Sequence, residues 1–112
     1  HNDARRQRQM CIRDSIESTN DQFDRLRTIH MCLEASTESP DWLVEAHSEF
    51  DHGALNESMA HHRRALAHWW YWRGVVNKDE RLSSWKEAIV RMRSSGSTNA
   101  ARELTARLSR EL

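Results

Sequence analysis

Five of the seven histidines of this 112-residue chain fall between His47 and His68, and carboxylates are interleaved with them. Imidazole and carboxylate are the donors of a Zn, Ni or Mn site, and a spacing of four residues sets two donors on one helical face. His47 and Asp51 have that spacing, His52 is the offset alternative for the second position, and His61 is the next imidazole along. On an unbroken helix rising ~1.5 Å per residue, His61 stands about 15 Å beyond Asp51, while metal–ligand bonds are near 2 Å. One shared ion therefore requires the chain to fold back near Asn56–Ser58, or a donor such as His30 from another helix. The competing reading is a solvated, histidine-rich helix face.

A second dense cluster is the run His68-Trp69-Trp70-Tyr71-Trp72-Arg73. Successive helical residues diverge by about 100°, so these rings cannot all face one core. Trp69, Trp70 and Trp72 are accordingly candidates for a helix seam, a ligand pocket or a dimer interface, where Trp, Tyr and Arg are enriched. Glu49-x-x-His52 has the spacing of a di-iron half-site, but no second such pair accompanies it. The chain carries no nucleophile elbow, phosphate-binding loop, dinucleotide fingerprint or paired-cysteine motif, and the sequence is read as non-enzymatic.

The elements that must position these residues are helical. Thr19-Asn20-Asp21-Gln22 reads as a capping box, followed by an apolar stripe of Phe23, Leu26, Ile29 and Leu33. Ser39 is expected to cap a second helix with Pro40 in its first turn and a stripe of Trp42, Ala46, Phe50 and Ala54. Gly53 and Asn56-Glu57-Ser58 predict a break. A third stripe of Met59, Leu66, Trp69 or Trp70, and Arg73 is expected to end at Gly74. Asn77-Lys78-Asp79-Glu80 opens a fourth helix bearing Leu82, Trp85, Ile89 and Met92, which Gly96 closes in the left-handed conformation. The last helix carries Ala101, Leu104, Leu108 and Leu112. Short connections imply antiparallel neighbours. The expected fold is all-α, an antiparallel bundle of four to five helices.

Composition bounds the rest. The length suits one domain, expected over residues 16–112. Seventeen basic and seventeen acidic side chains balance, which removes the electrostatic case for non-specific nucleic-acid binding. No apolar run reaches the roughly 18–20 residues of a membrane span, and two cysteines make no disulfide framework, so a cytoplasmic setting is expected. Residues 1–15, HNDARRQRQMCIRDS, hold four arginines and no apolar period. The stretch resembles translated sequencing-adapter sequence and is read as non-native, as in a metagenomic fragment, or else as a disordered basic arm. Without it the chain carries a net charge of −2.

From about Asn20 onward the layout resembles the effector-binding C-terminal domain, of the FCD type, of GntR-family bacterial transcription regulators. The segments carrying the resemblance are Asp21-Gln22-Phe23-Asp24-Arg25-Leu26-Arg27, Trp42 through His47 to Phe50-Asp51-His52, and the hairpin from Trp85 through Gly96 to Arg102. The resemblance implies a metal-held small carboxylate effector, a homodimer, and DNA contact only through a preceding winged-helix domain. It places His47 and Asp51 at the family's first metal pair in swapped order. The family's later histidines have no counterpart, since Trp85 or Lys86 and Leu108 stand there, and the middle helix is shorter. The alternative from a different class is a cofactor-free helical protein–protein interaction module working through Trp69, Trp70 and Trp72.

Overall fold

In the computed structural model, which describes residues 14, 16, 20–36 and 38–112, every regular element is a helix. The described residues contain no strand, and five α-helices pack together as the all-α bundle the sequence predicts. The reading of residues 1–15 as an arm lies outside the described residues, apart from Asp14.

α1 spans Gln22–Ala35, and Asp21, not Thr19, is its cap: the Asp21 carboxylate accepts the Asp24 amide at 3.2 Å. Thr19 lies outside the described residues. Leu26, Ile29 and Leu33 turn inward as their spacing requires, while Phe23 stays half-buried. α2 spans Asp41–Glu49 and begins one residue later than expected. Pro40 is extended (φ −66°, ψ 151°), and its carbonyl accepts the first helical bonds from Leu43 and Val44, so Ser39 is left without a capping role.

The break expected near Gly53 is present. Phe50 is extended, His52–Ala54 form one 3-10 turn, and the Asn56 side chain accepts the Ser58 amide. α3 then runs Ala60–Val76, through Gly74 and two residues past it. Gly74 does not stop the helix; it opens a close approach. A Cβ there would run into the Trp85 indole, so hydrogen at this position lets the ring lie directly on α3. Arg81 then closes the α3 C-terminus, donating to the carbonyls of Gly74 (2.9 Å) and Val75 (3.2 Å).

Asn77 starts a 3-10 turn that leads into α4, Arg81–Ser94, and α5 spans Thr98–Glu111. Between them Gly96 sits at φ +85°, with Gly96 donating to Arg93 and Ser97 to Met92, the paired bonds of a Schellman ending. The inward face of α4 is Ser84, Trp85, Ala88, Ile89 and Met92. Leu82, expected in this stripe, lies at the edge of that face and is 42% exposed. Leu112 falls beyond the end of α5, and Met59 precedes α3, so both expected stripe members stay outside the core. Ala54 is likewise exposed.

The apolar interior has two parts. Ile16, Leu26, Ile29, Leu33, Leu43, Phe50, Leu55, Leu66 and Trp69 form one, built on α1, α2 and one side of α3. Ala67, Trp85, Ala88, Ile89, Met92, Ala101, Leu104 and Leu108 form the other, built on α4, α5 and the opposite side of α3. α3 is the shared wall, which resolves the aromatic run. Trp69 and Trp72 face the first core, Tyr71 faces the second, and Trp70 packs against both.

Candidate functional site

The end of α2 decides the fate of the expected metal pair. His47 is on the helix, buried to 1% exposure, with its ring stacked on Trp69 at 5.1 Å. Two residues later the helix ends, so Asp51 loses the shared face that a four-residue spacing would have given it. The Asp51 carboxylate instead accepts the Gly53 amide at 3.1 Å, and Asp51 borders a 360 Å³ cleft between α1 and α2 with Glu45 and Glu49. His52 lies in the 3-10 turn with its ring 4.4 Å from Trp69. The chain does fold back near Asn56–Ser58, but His61 meets Phe23 edge-on at 4.7 Å instead of joining His47. His62 stacks on the same phenyl ring and accepts the Asn56 amide at 2.9 Å. Among the described residues, no group of three or more His, Cys, Asp or Glu side chains is already arranged to hold a metal ion.

The interface candidates are also sorted by the two cores. Trp69 is interior, 2% exposed, and its indole N–H donates to the His47 carbonyl at 3.0 Å. Buried in this way, it has no surface to offer a partner. Trp70 and Trp72 remain half-buried.

The structure gathers histidines that spacing alone did not pair. His30 of α1 lies 5.7 Å from His47 of α2 and 6.4 Å from His68 of α3, measured between ring centroids. The Nε2 atoms of His30 and His47 are both enclosed without a hydrogen-bond partner. Burial, helped by the neighbouring His47 and His68, pushes the His30 pKa down to about 3. Burial lowers His47 to about 4, with a backbone hydrogen bond at Trp69 opposing the shift and the Arg73 charge adding to it. His68 is lowered by the partial burial of its ring, while the Glu34 carboxylate pulls it back up. The His30 and His47 rings are therefore neutral at neutral pH.

Beside His68 a cavity of 340 Å³ opens between the two halves of the bundle. Glu34 of α1, His68, Tyr71 and Trp72 of α3, and Glu103 and Arg107 of α5 line it. Arg107 is held in place there. It donates to the Tyr71 hydroxyl at 2.8 Å, and its guanidinium lies 5.7 Å from the Tyr71 ring and 5.0 Å from the Trp85 ring. His30 was legible only as a spare donor, and Glu34 and Arg107 carried no sequence signal at all, because what unites them is the crossing of α1, α3 and α5.

No protein-family model, characterised protein or solved structure matches this chain. No helix among the described residues is long and apolar enough to cross a membrane.

Proposed function

We propose that this chain is an effector-sensing and dimerisation bundle of a bacterial transcription regulator, and that its effector is a small carboxylate bound in the cavity beside His68. The observation that carries this reading is the position of the cavity. It is walled by α1 and α3 on one side and by α5 on the other, so an occupant touches both halves of the bundle. A ligand that binds one packing of those halves better than another shifts their equilibrium, which is the physical requirement for a sensor. Arg107 supplies a fixed guanidinium for a carboxylate group. The carboxylates of Glu34 and Glu103 at the same cavity disfavour a dianion and favour a monocarboxylate or an amino acid.

The test is a thermal-melting screen of the chain against small monocarboxylates and amino acids, followed by calorimetry on any that raise the melting temperature. A carboxylate that stabilises the wild type and loses its effect in Arg107→Ala supports the reading. Stabilisation that survives Arg107→Ala, or none from any compound, removes it.

The cofactor-free interaction module is the second reading, and Met31 and Val90, each 60% exposed on α1 and α4, favour it. That reading expects concentration-dependent association in sedimentation, weakened by Met31→Ser or Val90→Ser. Loss of the carboxylate effect with association intact would make it the leading account.

A further inference from the structure

Glu103 and Arg107 stand four residues apart on α5, the spacing and order at which opposite charges on a helix pair with each other. They do not pair. Arg107 turns to α3 instead, where it donates to the Tyr71 hydroxyl at 2.8 Å and lies against the Tyr71 and Trp85 rings. Glu103 is left at the cavity without a cation, and so is Glu34 on the wall formed by α1. Among the described residues, no ion pair includes either carboxylate. His68 is the other basic group at the cavity, and burial lowers its pKa against the pull of Glu34.

The cavity is therefore divided chemically. Arg107 uses one of its five N–H groups on Tyr71, so its fork keeps donors for a carboxylate. Glu34 and Glu103 are acceptors for the N–H groups of a cation. Met92 and Leu104, both buried, and the half-buried Trp72 give an apolar surface beside them. A monocarboxylate held by Arg107 would bring a third negative charge to two unpaired ones. An ammonium on the same ligand turns that repulsion into attraction. An α-amino acid carries carboxylate, ammonium and side chain on one carbon, and 340 Å³ lies at the small end of the roughly 300–1,000 Å³ spanned by ligand pockets.

We propose that the occupant of this cavity is an α-amino acid with an apolar side chain. Its carboxylate meets Arg107, its ammonium meets Glu34 and Glu103, and its side chain lies against Met92, Leu104 and Trp72. The inference rests on the effector reading for the cavity and for the role of Arg107, and goes beyond it in making the ammonium the group that selects the ligand. Glu34 and Glu103 belong to opposite walls, so an ammonium held by both ties α1 to α5. That tie is how the ligand acts on the packing of the two halves.

The experiment is a calorimetric titration of the full chain at pH 7 with a matched set of compounds. L-leucine, L-methionine and L-phenylalanine are the expected ligand class. 4-Methylpentanoate is leucine without its ammonium, and 3-methylbutylamine is leucine without its carboxylate. Leucine should bind about 10-fold or more tighter than either, the worth of hydrogen bonds to a charged group. Glu34→Gln and Glu103→Gln, at exposed positions, should each weaken leucine and leave 4-methylpentanoate unchanged or tighter, a divergence that damage to the fold does not produce. If 4-methylpentanoate binds as tightly as leucine and responds to Arg107→Ala, this inference falls and the effector reading stands. If none of the amino acids and neither analogue binds, both fall. Tight binding of 3-methylbutylamine that survives Arg107→Ala would also overturn the proposal, since the cavity would then be a site for amines alone.

Discussion

The two halves of the bundle share α3 and differ in how they treat polar atoms. In the half built on α4 and α5, the buried indole of Trp85 donates to the Tyr71 carbonyl, lies on Gly74, and is flanked by the guanidinium groups of Arg81 and Arg107 at 5.4 and 5.0 Å. Hydroxyls near that core are also engaged, Ser95 with Met92 and Thr105 with Ala101. The half built on α1 and α2 encloses unpartnered nitrogens of His30 and His47, and among the described residues the third such atom, Trp70 Nε1, sits on the wall between the two. One half is organised for packing. The other retains enclosed polar atoms without hydrogen-bond partners, and such departures concentrate at functional sites.

The largest expected effect falls on the well-satisfied half. Trp85→Ala should cost about 3–5 kcal/mol in urea unfolding, because it empties the centre of the second core and strips Gly74 of its neighbour. A cost under about 1 kcal/mol would mean that this half is not the stabilising one, and the contrast between the halves would fail.

The next effect belongs to the histidine half and to pH. His30 and His47 have folded pKa values of about 3 and 4 against an ordinary 6.5, so the unfolded chain binds more protons between those limits. Their contribution is fully present above pH 6.5 and is lost as pH falls toward 4 and 3. Near pH 5, unfolding should take up about two protons at these two sites. Urea midpoints measured from pH 7 down to pH 4 should fall, and the fall should shrink in His30→Leu/His47→Leu. Amide exchange in the same range sharpens the comparison, with α1 and α2 expected to lose protection before α4 and α5. A uniform loss across all five helices would erase the distinction.

The smallest effect tests a turn outside both cores. Gly96→Ala should cost about 1 kcal/mol, since φ +85° strains any residue with a Cβ although open space surrounds the position. The unfolding slope should stay unchanged, marking a local backbone penalty with no loss of packing.

Much of the fold was legible because it is written in local rules. The helical spacing of Leu26, Ile29 and Leu33, or of Ala101, Leu104 and Leu108, needs only a 3.6-residue period to be recognised. Gly96 and Asn77 announce their turns through backbone freedom and a short amide side chain. Gly74 misled for the same reason: its local meaning is a helix stop, and its actual role, a seat for Trp85, depends on a residue eleven positions away. The candidate site was less legible still. His47 and Asp51 obey a spacing rule that holds only while the helix lasts, and α2 ends between them.

The sequence by itself determined an all-α chain, where most of its helices begin and end, and the apolar faces they bury, because propensity, capping and periodicity act over a few residues. Only the tertiary structure decided that α3 divides two cores, that Trp69 is interior while Trp70 and Trp72 stay half-buried, and that His30, His47 and His68 are neighbours. Those facts depend on how three helices cross, and a crossing is set by the summed packing of residues far apart in the chain, where no short spacing can record it.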